Sequence, residues 1–405
     1  MRQTIKNFYH LLVASLANLW LGFPSRNLIV IGVTGTDGKT TTTSLIHHIL
    51  KSSGLNSSMI SSIGAEINGK KYPLPPHMTT LPPFSLQKFI KKAAGQKTKN
   101  YLVLEVTSHS LDQFRVFGIN FEIGIITNVT SEHLDYHRTY ENYVKTKTKL
   151  LRMSKIAVLN EDDESFAVIR KELDKIVSKK SKIITYGLHK SSDINPIDFR
   201  YKSKLIGHFN KYNILAGIAV CISLGIKKEK IIDAVGKFNP PMGRQDVVYD
   251  NNFIVMIDFA HTPNSFREIL SALRKKVKGR IIHVFGSAGQ RDTLKRPEMG
   301  KISSEFCDIV IVTSEDPRSE NIEKIIDEVI SGIKNNQDRI KKSTLFRIPN
   351  RQEAITEAIR MAKKNDMVLL TGKSHEKSMN YGAGERPWDE YEAVKKALMV
   401  RNNNG

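Results

Sequence analysis

Three polar stretches carry residues whose types and spacing suit group-transfer chemistry. The first, "GVTGTDGKTTTT" (32–43), places small residues between an apolar run and a helix-forming run. The backbone N–H groups of Gly35, Thr36, Asp37 and Gly38 can approach phosphate oxygens there, at a helix N-terminus that favours anions. Lys39 suits the β- and γ-phosphates, and Thr40, followed by Thr41, offers a hydroxyl to Mg²⁺. The strict pattern GxxxxGK[ST] misses by one position, because Val33 stands where its first glycine belongs. The second stretch is "LEVTSHSLDQFR" (104–115), in which Glu105 directly follows an apolar run. The third, "TNVTSEHLDYHRTYENYVKTKTKLL" (127–151), carries Glu132, His133, Asp135 and His137, then Lys145, Lys147 and Lys149. An acid and an imidazole near phosphate suggest a metal site. The three lysines cannot share one helical face, so at most one enters a site.

The elements that must position these residues follow from the apolar runs. "NLIVIGV", "NYLVLEV", "IGIITNV", "KIAVLN" and "KIITYG" read as strands with helices between several of them, an α/β pattern with a mostly parallel sheet. The Pro/Gly-rich "NPPMGRQDVV" (239–248) reads as a boundary. A second, smaller dinucleotide-fold-like set follows, with "FIVMIDFA", "RIIHVFGSAG", "CDIVIVTSE" and "DMVLLTGKS" as its strands. The expected organisation is a short helical segment (1–27), a P-loop-type domain (28–241) and a Rossmann-like α/β domain (242–405). Leu11, Leu12, Leu16, Leu19 and Trp20 are spaced as in an amphipathic helix, for which core packing is the favoured use over a membrane surface. The tail "RNNNG" is expected to be disordered.

Composition narrows the class. The net charge of +21 comes from lysines scattered over helix faces, without a recognisable nucleic-acid motif, so nucleic acid is not an expected partner. Cys221 and Cys307 sit in apolar runs as buried thiols, and no cleavable leader is apparent. A cytoplasmic protein, monomeric and without membrane attachment, is expected.

Ten stretches occur in the order found in Mur ligases: "TGTDGKTTT", "HMTTLPP", "EVTSHSLDQFR", "TNVTSEHLDYH…YVKTK", "GHFNKYN", "MGRQD", "DFAHTPNS", "FGSAGQRDTLKRPEMG", "TSEDPRSEN" and "GKSHEKS". From about residue 28 to about 390 the chain most resembles the MurE type, which uses ATP to add the third amino acid of a peptidoglycan precursor. The resemblance implies ATP and Mg²⁺, with Lys39 and Thr40 on both, Glu105 and His133 at the metal, and Lys147 as a carbamylated lysine. It implies substrate contacts from Thr79, Thr80, Thr107, Gln113 and Arg115, where Thr107 replaces the usual Ser. It also implies nucleotide contacts from Asn210, Asn213, Asp258 and His261, and a hinge at Arg244.

In that family the loop "EDPR" is commonly "DNPR" and reads the incoming amino acid. Arg318 would then hold the distal carboxylate of meso-diaminopimelate, and Glu315 and Asp316 would help hold its ammonium groups. Pro317, Gly372 and Glu376 complete the set. Glu315 replaces Asp, Asp316 replaces Asn and Ser374 replaces Gly, so diaminopimelate is favoured with lysine still open. Enzymes of this type normally begin with a uridine-diphosphate-binding domain, whereas about 27 residues precede the first strand here. The central domain alone would hold the UDP-linked dipeptide, or the acceptor would be lipid-linked or otherwise lack uridine. A folylpolyglutamate-synthase-like ligase is the remaining alternative.

Overall fold

The computed structural model describes residues 2–75, 78–95, 100–130, 132–175, 182–334 and 343–403. The chain divides into two compact units, 1–204 with 209–239, and 205–208 with 240–405.

The first unit opens with helix α1 (Arg2–Leu21). Strand β1 (Leu28–Thr34), helix α2 (Lys39–Ser52), strands β2 (Ser57–Ser61), β3 (Gly64–Ile67) and β4 (Lys70–Tyr72), and helix α3 (Pro83–Ala94) follow. Next come β5 (Asn100–Glu105), α4 (Ser108–Asp112), β6 (Phe121–Ile126), α5 (Leu134–His137), α6 (Tyr140–Arg152) and β7 (Ser154–Asn160). Helix α7 (Phe166–Asp174), β8 (Lys182–Tyr186), α8 (Phe209–Ser223) and α9 (Lys228–Lys237) complete it. The sheet order is β4-β3-β2-β5-β1-β6-β7-β8, parallel except for the β2–β3–β4 edge. Strand β1 is central and covered on both faces, which is why "LIVIGVT" is a continuous apolar run rather than an alternating one. Its register against β5 sets Val33 beside Glu105, and against β6 sets Thr34 beside Ile126. Those strand ends bring the three polar stretches to one edge of the sheet, where open α/β sheets hold ligands.

The second unit contains β9 (Asp246–Asp250), β10 (Ile254–Asp258), α10 (Pro263–Arg274), β11 (Ile281–Phe285), α11 (Lys295–Phe306), β12 (Ile309–Val312) and α12 (Ile322–Lys334). It continues with β13 (Thr344–Arg347), α13 (Arg351–Met361), β14 (Met367–Thr371), the hairpin β15 (Ser378–Asn380) and β16 (Glu385–Pro387), and α14 (Glu390–Asn403). The order β13-β12-β11-β14-β10-β9 is parallel apart from edge strand β9. Side chains alternate between its two cores. Met256, Val310, Val312, Met367 and Leu369 pack under α10, α11 and α12; Val255, Ile257, Ile309, Ile311, Val368 and Leu370 pack under α13 and α14.

Two expectations need correction. Helix α1 forms, but Leu12, Leu16, Leu19 and Trp20 stand exposed instead of packing into a core, because the small residues Ala14 and Ala17 occupy the buried face. The tail continues α14 to Asn403, since the Arg401 guanidinium donates to the carbonyls of Ile359 and Ala362; residues 404 and 405 lie outside the described ones.

Candidate active site

The loop between β1 and α2 is shaped by two glycines. A Cβ at Gly35 would lie 1.8 Å from Thr127 Oγ1, and one at Gly38 (φ +79°) 2.1 Å from Asn213 Oδ1. Gly38 caps α2 with no side-chain hydrogen bond to its first turn. The loop is braced from behind. Asp37 N donates to Asn128 Oδ1 (2.9 Å), while Thr127 Oγ1 and Asn128 Nδ2 donate to Asp37 O at 2.7 and 3.2 Å. Asn213 Nδ2 donates to Asn210 Oδ1 at 2.9 Å within α8, and Thr42 Oγ1 of α2 reaches Asn213 Oδ1 at 3.4 Å, which ties α8 to this corner. Lys39 Nζ donates to Thr36 O at 2.6 Å, within the same turn.

Glu105, buried at the end of β5, accepts from Thr40 Oγ1 (3.0 Å), Ser62 N (3.0 Å) and Ser62 Oγ (3.1 Å). Lys147 is wholly buried on α6; Lys145 is exposed and Lys149 pairs with Asp112. The Lys147 ammonium has one hydrogen bond, to Gly35 O at 2.6 Å, and sits 4.3 Å over the Tyr143 ring. Burial first, then the nearby Lys39 charge, hold its pKa well below the ordinary lysine range. His133 is pushed down to about 3, first by burial; the Glu132 carboxylate 3.8 Å away opposes this, and His109, Lys147 and Lys39 add to it. His137 falls to about 4 for the same kind of reason and meets Ser108 Oγ at 3.0 Å. The side chain of Asp135 lies outside the described residues.

The remaining candidates of this unit form a chain leading away from Glu105. Thr79 Oγ1 meets Ser62 Oγ (2.8 Å), Thr80 Oγ1 donates to Glu105 O (3.3 Å), and Thr107 caps α4 through Ser110 N. Arg115 Nη1 reaches Thr80 O at 3.5 Å, and Gln113 Nε2 reaches the Tyr136 hydroxyl at 3.3 Å. Among the described residues Arg115 Nε and Gln113 Oε1 are buried polar atoms that find no hydrogen-bond partner. Such atoms suit a polar ligand.

Among the described residues no three His, Cys, Asp or Glu side chains converge as a ready metal cage. The donor chemistry nevertheless fits a hard cation that keeps several waters. Glu105 and the Thr40 hydroxyl supply oxygen ligands within 3.0 Å of each other, beside the glycine loop.

In the second unit, Asp258 is buried at the end of β10 and accepts from Gln245 N (2.8 Å) and Ala260 N (2.7 Å); burial raises its pKa. His261 Nδ1 meets Phe259 O at 2.8 Å, and the Arg244 guanidinium lies 4.5 Å over the Phe259 ring. The "EDPR" loop follows β12. Asp316 Oδ1 and Oδ2 accept from the buried Lys373 Nζ at 2.9 and 3.0 Å, and Glu376 Oε2 accepts from it at 2.6 Å. The ammonium beside Asp316 and Glu376 is thus the chain's own. Glu315 differs: its Oε2 is buried with no partner among the described residues, a Cβ on Gly372 would lie 2.0 Å from it, and burial raises its pKa to about 7. Pro317 O lies where a Cβ on Gly289 would fall, so the loops pack backbone to backbone. Arg318 Nη1 donates to Gly289 O at 3.2 Å. Its pKa is lowered by burial and then by the neighbouring charge of Arg291. Ser374 keeps a left-handed backbone (φ +49°) and donates to Gly243 O at 2.8 Å.

The description "Mur ligase middle domain" matches residues 33–221, and "Mur ligase, glutamate ligase domain" matches residues 243–374. The chain belongs to the Mur ligase family. It is 40% identical over 394 residues to UDP-N-acetylmuramoyl-L-alanyl-D-glutamate--2,6-diaminopimelate ligase 1 of Clostridium acetobutylicum, covering 92% of this chain and 78% of that one. The enzyme of that name without the numeral from Aquifex aeolicus is 38% identical over 406 residues, covering 94% and 80%. A solved structure of a UDP-N-acetylmuramoyl-L-alanyl-D-glutamate--2,6-diaminopimelate ligase aligns at 29% identity and TM-score 0.61, over 93% of this chain and 79% of that one. Escherichia coli FolC with ADP and DHPP aligns at TM-score 0.71 and 17% identity, over 96% and 92%, which is a likeness of fold alone.

As a Mur ligase the chain is an ATP-dependent ligase with a mostly parallel sheet in each unit. Four side chains of these sites were not singled out by sequence reasoning: Ser62, Thr127, Asn128 and Lys373. Thr127 and Asn128 had a signal, since "TN" directly follows the apolar run of β6 at the ligand edge of the sheet. Ser62 had none. Lys373 sits inside "GKSHE", but its role depends on Asp316 being charged and 57 residues away in sequence.

Proposed function

We propose that this Mur ligase joins a diamino acid, meso-diaminopimelate in preference to L-lysine, to the D-glutamyl carboxylate of UDP-N-acetylmuramoyl-L-alanyl-D-glutamate. The observation that carries the reading is the 40% identity to a 2,6-diaminopimelate ligase over 92% of the chain. Arg318 adds to it, because a guanidinium repelled by Arg291 gains from a ligand carboxylate.

The reaction transfers the γ-phosphoryl of ATP to the acceptor carboxylate, giving ADP and an acyl phosphate. The amine of the incoming amino acid then attacks the acyl carbon, loses a proton, and inorganic phosphate leaves. The Gly35–Gly38 loop and the first turn of α2 bind the phosphates, and Lys39 neutralises charge that develops on the transferred group. Mg²⁺, held by Thr40 and Glu105, would offset phosphate charge when bound. Burial lowers the pKa of Lys147 and so favours the neutral amine, the form that reacts with CO₂, with loss of a proton, to give a carbamate, an anion suited to that same cation. His133, uncharged near neutral pH, takes a lone-pair or N–H role rather than an ionic one. Thr79, Thr80, Thr107, Gln113 and Arg115 orient the acceptor; Asn210, Asn213, Arg244, Asp258 and His261 serve the nucleotide; Glu315 and Arg318 read the amino acid.

The test is ATP-dependent phosphate release with the UDP-linked dipeptide and meso-diaminopimelate, L-lysine or no amino acid. Turnover with diaminopimelate alone is expected. Turnover with lysine alone would overturn the Arg318 reading, and silence with both would send the search to acceptors without uridine.

A further inference from the structure

Helix α1 presents an apolar face that the ligase reaction leaves unused. Ile5, Phe8, Tyr9, Leu12, Leu16, Leu19 and Trp20 are all exposed, Trp20 by 83% and Leu19 by 68%. At 3.6 residues per turn these seven fall within one arc of about 120° along the whole helix. The opposite face is the attached one. Ala14 and Ala17 are buried against the first unit, Gln3 Nε2 donates to the Tyr136 hydroxyl (2.8 Å), and Asn18 Nδ2 donates to Phe117 O (2.8 Å). The helix is therefore mounted with its apolar side outward. A contiguous patch of this size, rimmed by polar residues, marks an interaction surface.

Charge identifies the occupant. No Asp or Glu lies on α1, which carries Arg2 and Lys6, and Asp112, which accepts from Asn7 Nδ2 at 3.2 Å, is paired with Lys149. Lys6 borders the apolar arc, His10 lies close to Lys6 and Arg115, and helix α3, on which α1 packs, exposes Lys88, Lys91 and Lys92 together with Phe84. A second copy would bring the same positive surface and be repelled. An anionic lipid surface is complementary to it, and Tyr9 and Trp20 have the amphipathic rings that settle at a headgroup boundary. Spanning is not the mode: among the described residues no helix is long and apolar enough to cross a membrane, and one side of α1 is bonded to protein.

We infer that α1 docks this enzyme on an anionic phospholipid surface, with Phe8, Leu12, Leu16 and Trp20 entering the interface and lysines of α1 and α3 meeting the headgroups. The inference is independent of which amino acid the ligase adds.

The full chain is sedimented with vesicles of equal parts phosphatidylglycerol and phosphatidylcholine, and with phosphatidylcholine alone. At least about tenfold more protein is expected on the anionic vesicles, with the excess falling as salt rises. Leu16→Glu with Trp20→Glu should abolish binding while ligase turnover is unchanged, because both side chains point away from the fold. If that variant misfolds, Trp388→Phe leaves Trp20 as the sole indole, and its emission should shift to the blue on anionic vesicles. Wild-type protein left in the supernatant with both vesicle types overturns the inference. So does a dimer in light scattering that the double variant dissolves, which would assign the face to a second copy.

Discussion

Among the described residues two lysines are fully buried, one in each unit, and their surroundings are opposite. Lys147 donates, among the described residues, to one carbonyl, Gly35 O, with another cation, Lys39, close by and the Glu132 and Asp37 carboxylates acting more weakly. Lys373 holds two carboxylates, Asp316 and Glu376. Charge is disfavoured at the first site and fully compensated at the second. A buried amine that no carboxylate contacts directly holds its proton less tightly, burial and Lys39 outranking the more distant Glu132 and Asp37; one gripped by two carboxylates is a fixed strut. The same side chain at the same depth is thus prepared for chemistry in one place and for architecture in the other.

Replacing each lysine by methionine separates these roles, and gives the largest effects expected. Lys147→Met should lower turnover about 100- to 1,000-fold, the scale of losing an electrostatic group at a reacting centre. Its denaturation midpoint should stay the same or rise, because the cost of burying the amine, which only the Gly35 carbonyl and the Tyr143 ring offset by contact, has been removed. Lys373→Met should do the reverse in kind. Stranding Asp316 and Glu376 costs about 3–5 kcal/mol of stability in denaturant titrations. A Lys147→Met protein that unfolds easily, or a Lys373→Met protein as stable as wild type, would erase the contrast.

How much of this was legible in the sequence differs between the units for the same physical reason. The parallel strands were readable because two-sided burial forces continuous apolar runs such as "LIVIGV" and "CDIVIV". The antiparallel edge β2–β3–β4 was not, although Asn68 (φ +50°) and Gly69 (φ +80°) form the Asn-Gly turn that typically joins such strands. Glu105 was read as lying at a strand's C-terminal end, and the pairing of β5 with β1 sets it beside Thr40 of the glycine loop. The partners of Asp316 were not foreseen, since a lysine far along the chain had to fold back to it. The outward apolar face of α1 was misassigned because spacing gives the width of a stripe and not the direction it faces.

Glycine substitutions sharpen the comparison at intermediate size. Gly38→Ala places a Cβ 2.1 Å from Asn213 Oδ1, and Gly372→Ala (φ +98°) places one 2.0 Å from Glu315 Oε2. Each should cost about 1–3 kcal/mol locally. The first should raise KM for ATP about tenfold with that for the amino acid unchanged, and the second the converse. Coupled losses of both in either variant would show that the loops do not act separately.

The smallest effect is the pH dependence, where the two sites should pull in opposite directions. Glu315 has a folded pKa of about 7, above its unfolded value, so the folded protein holds its proton more tightly between about 4.5 and 7. Stability from that group is present below this window and lost as pH rises through it. His133 and His137 have folded values of about 3 and 4, below the unfolded one, so between those values and about 6.5 the unfolded chain binds more protons. Their contribution is present above that window and lost as pH falls. Glu315→Gln should therefore make the stability of the protein rise more steeply with pH between 5 and 7, by at most about 1.4 kcal/mol per pH unit, the value for one proton. His137→Gln should flatten the same curve. Denaturant titrations at several pH values on the three proteins decide it; a Glu315→Gln curve parallel to wild type would mean that this carboxyl is as well solvated as any on the surface, and the unpartnered oxygen would lose its place in the amino-acid site.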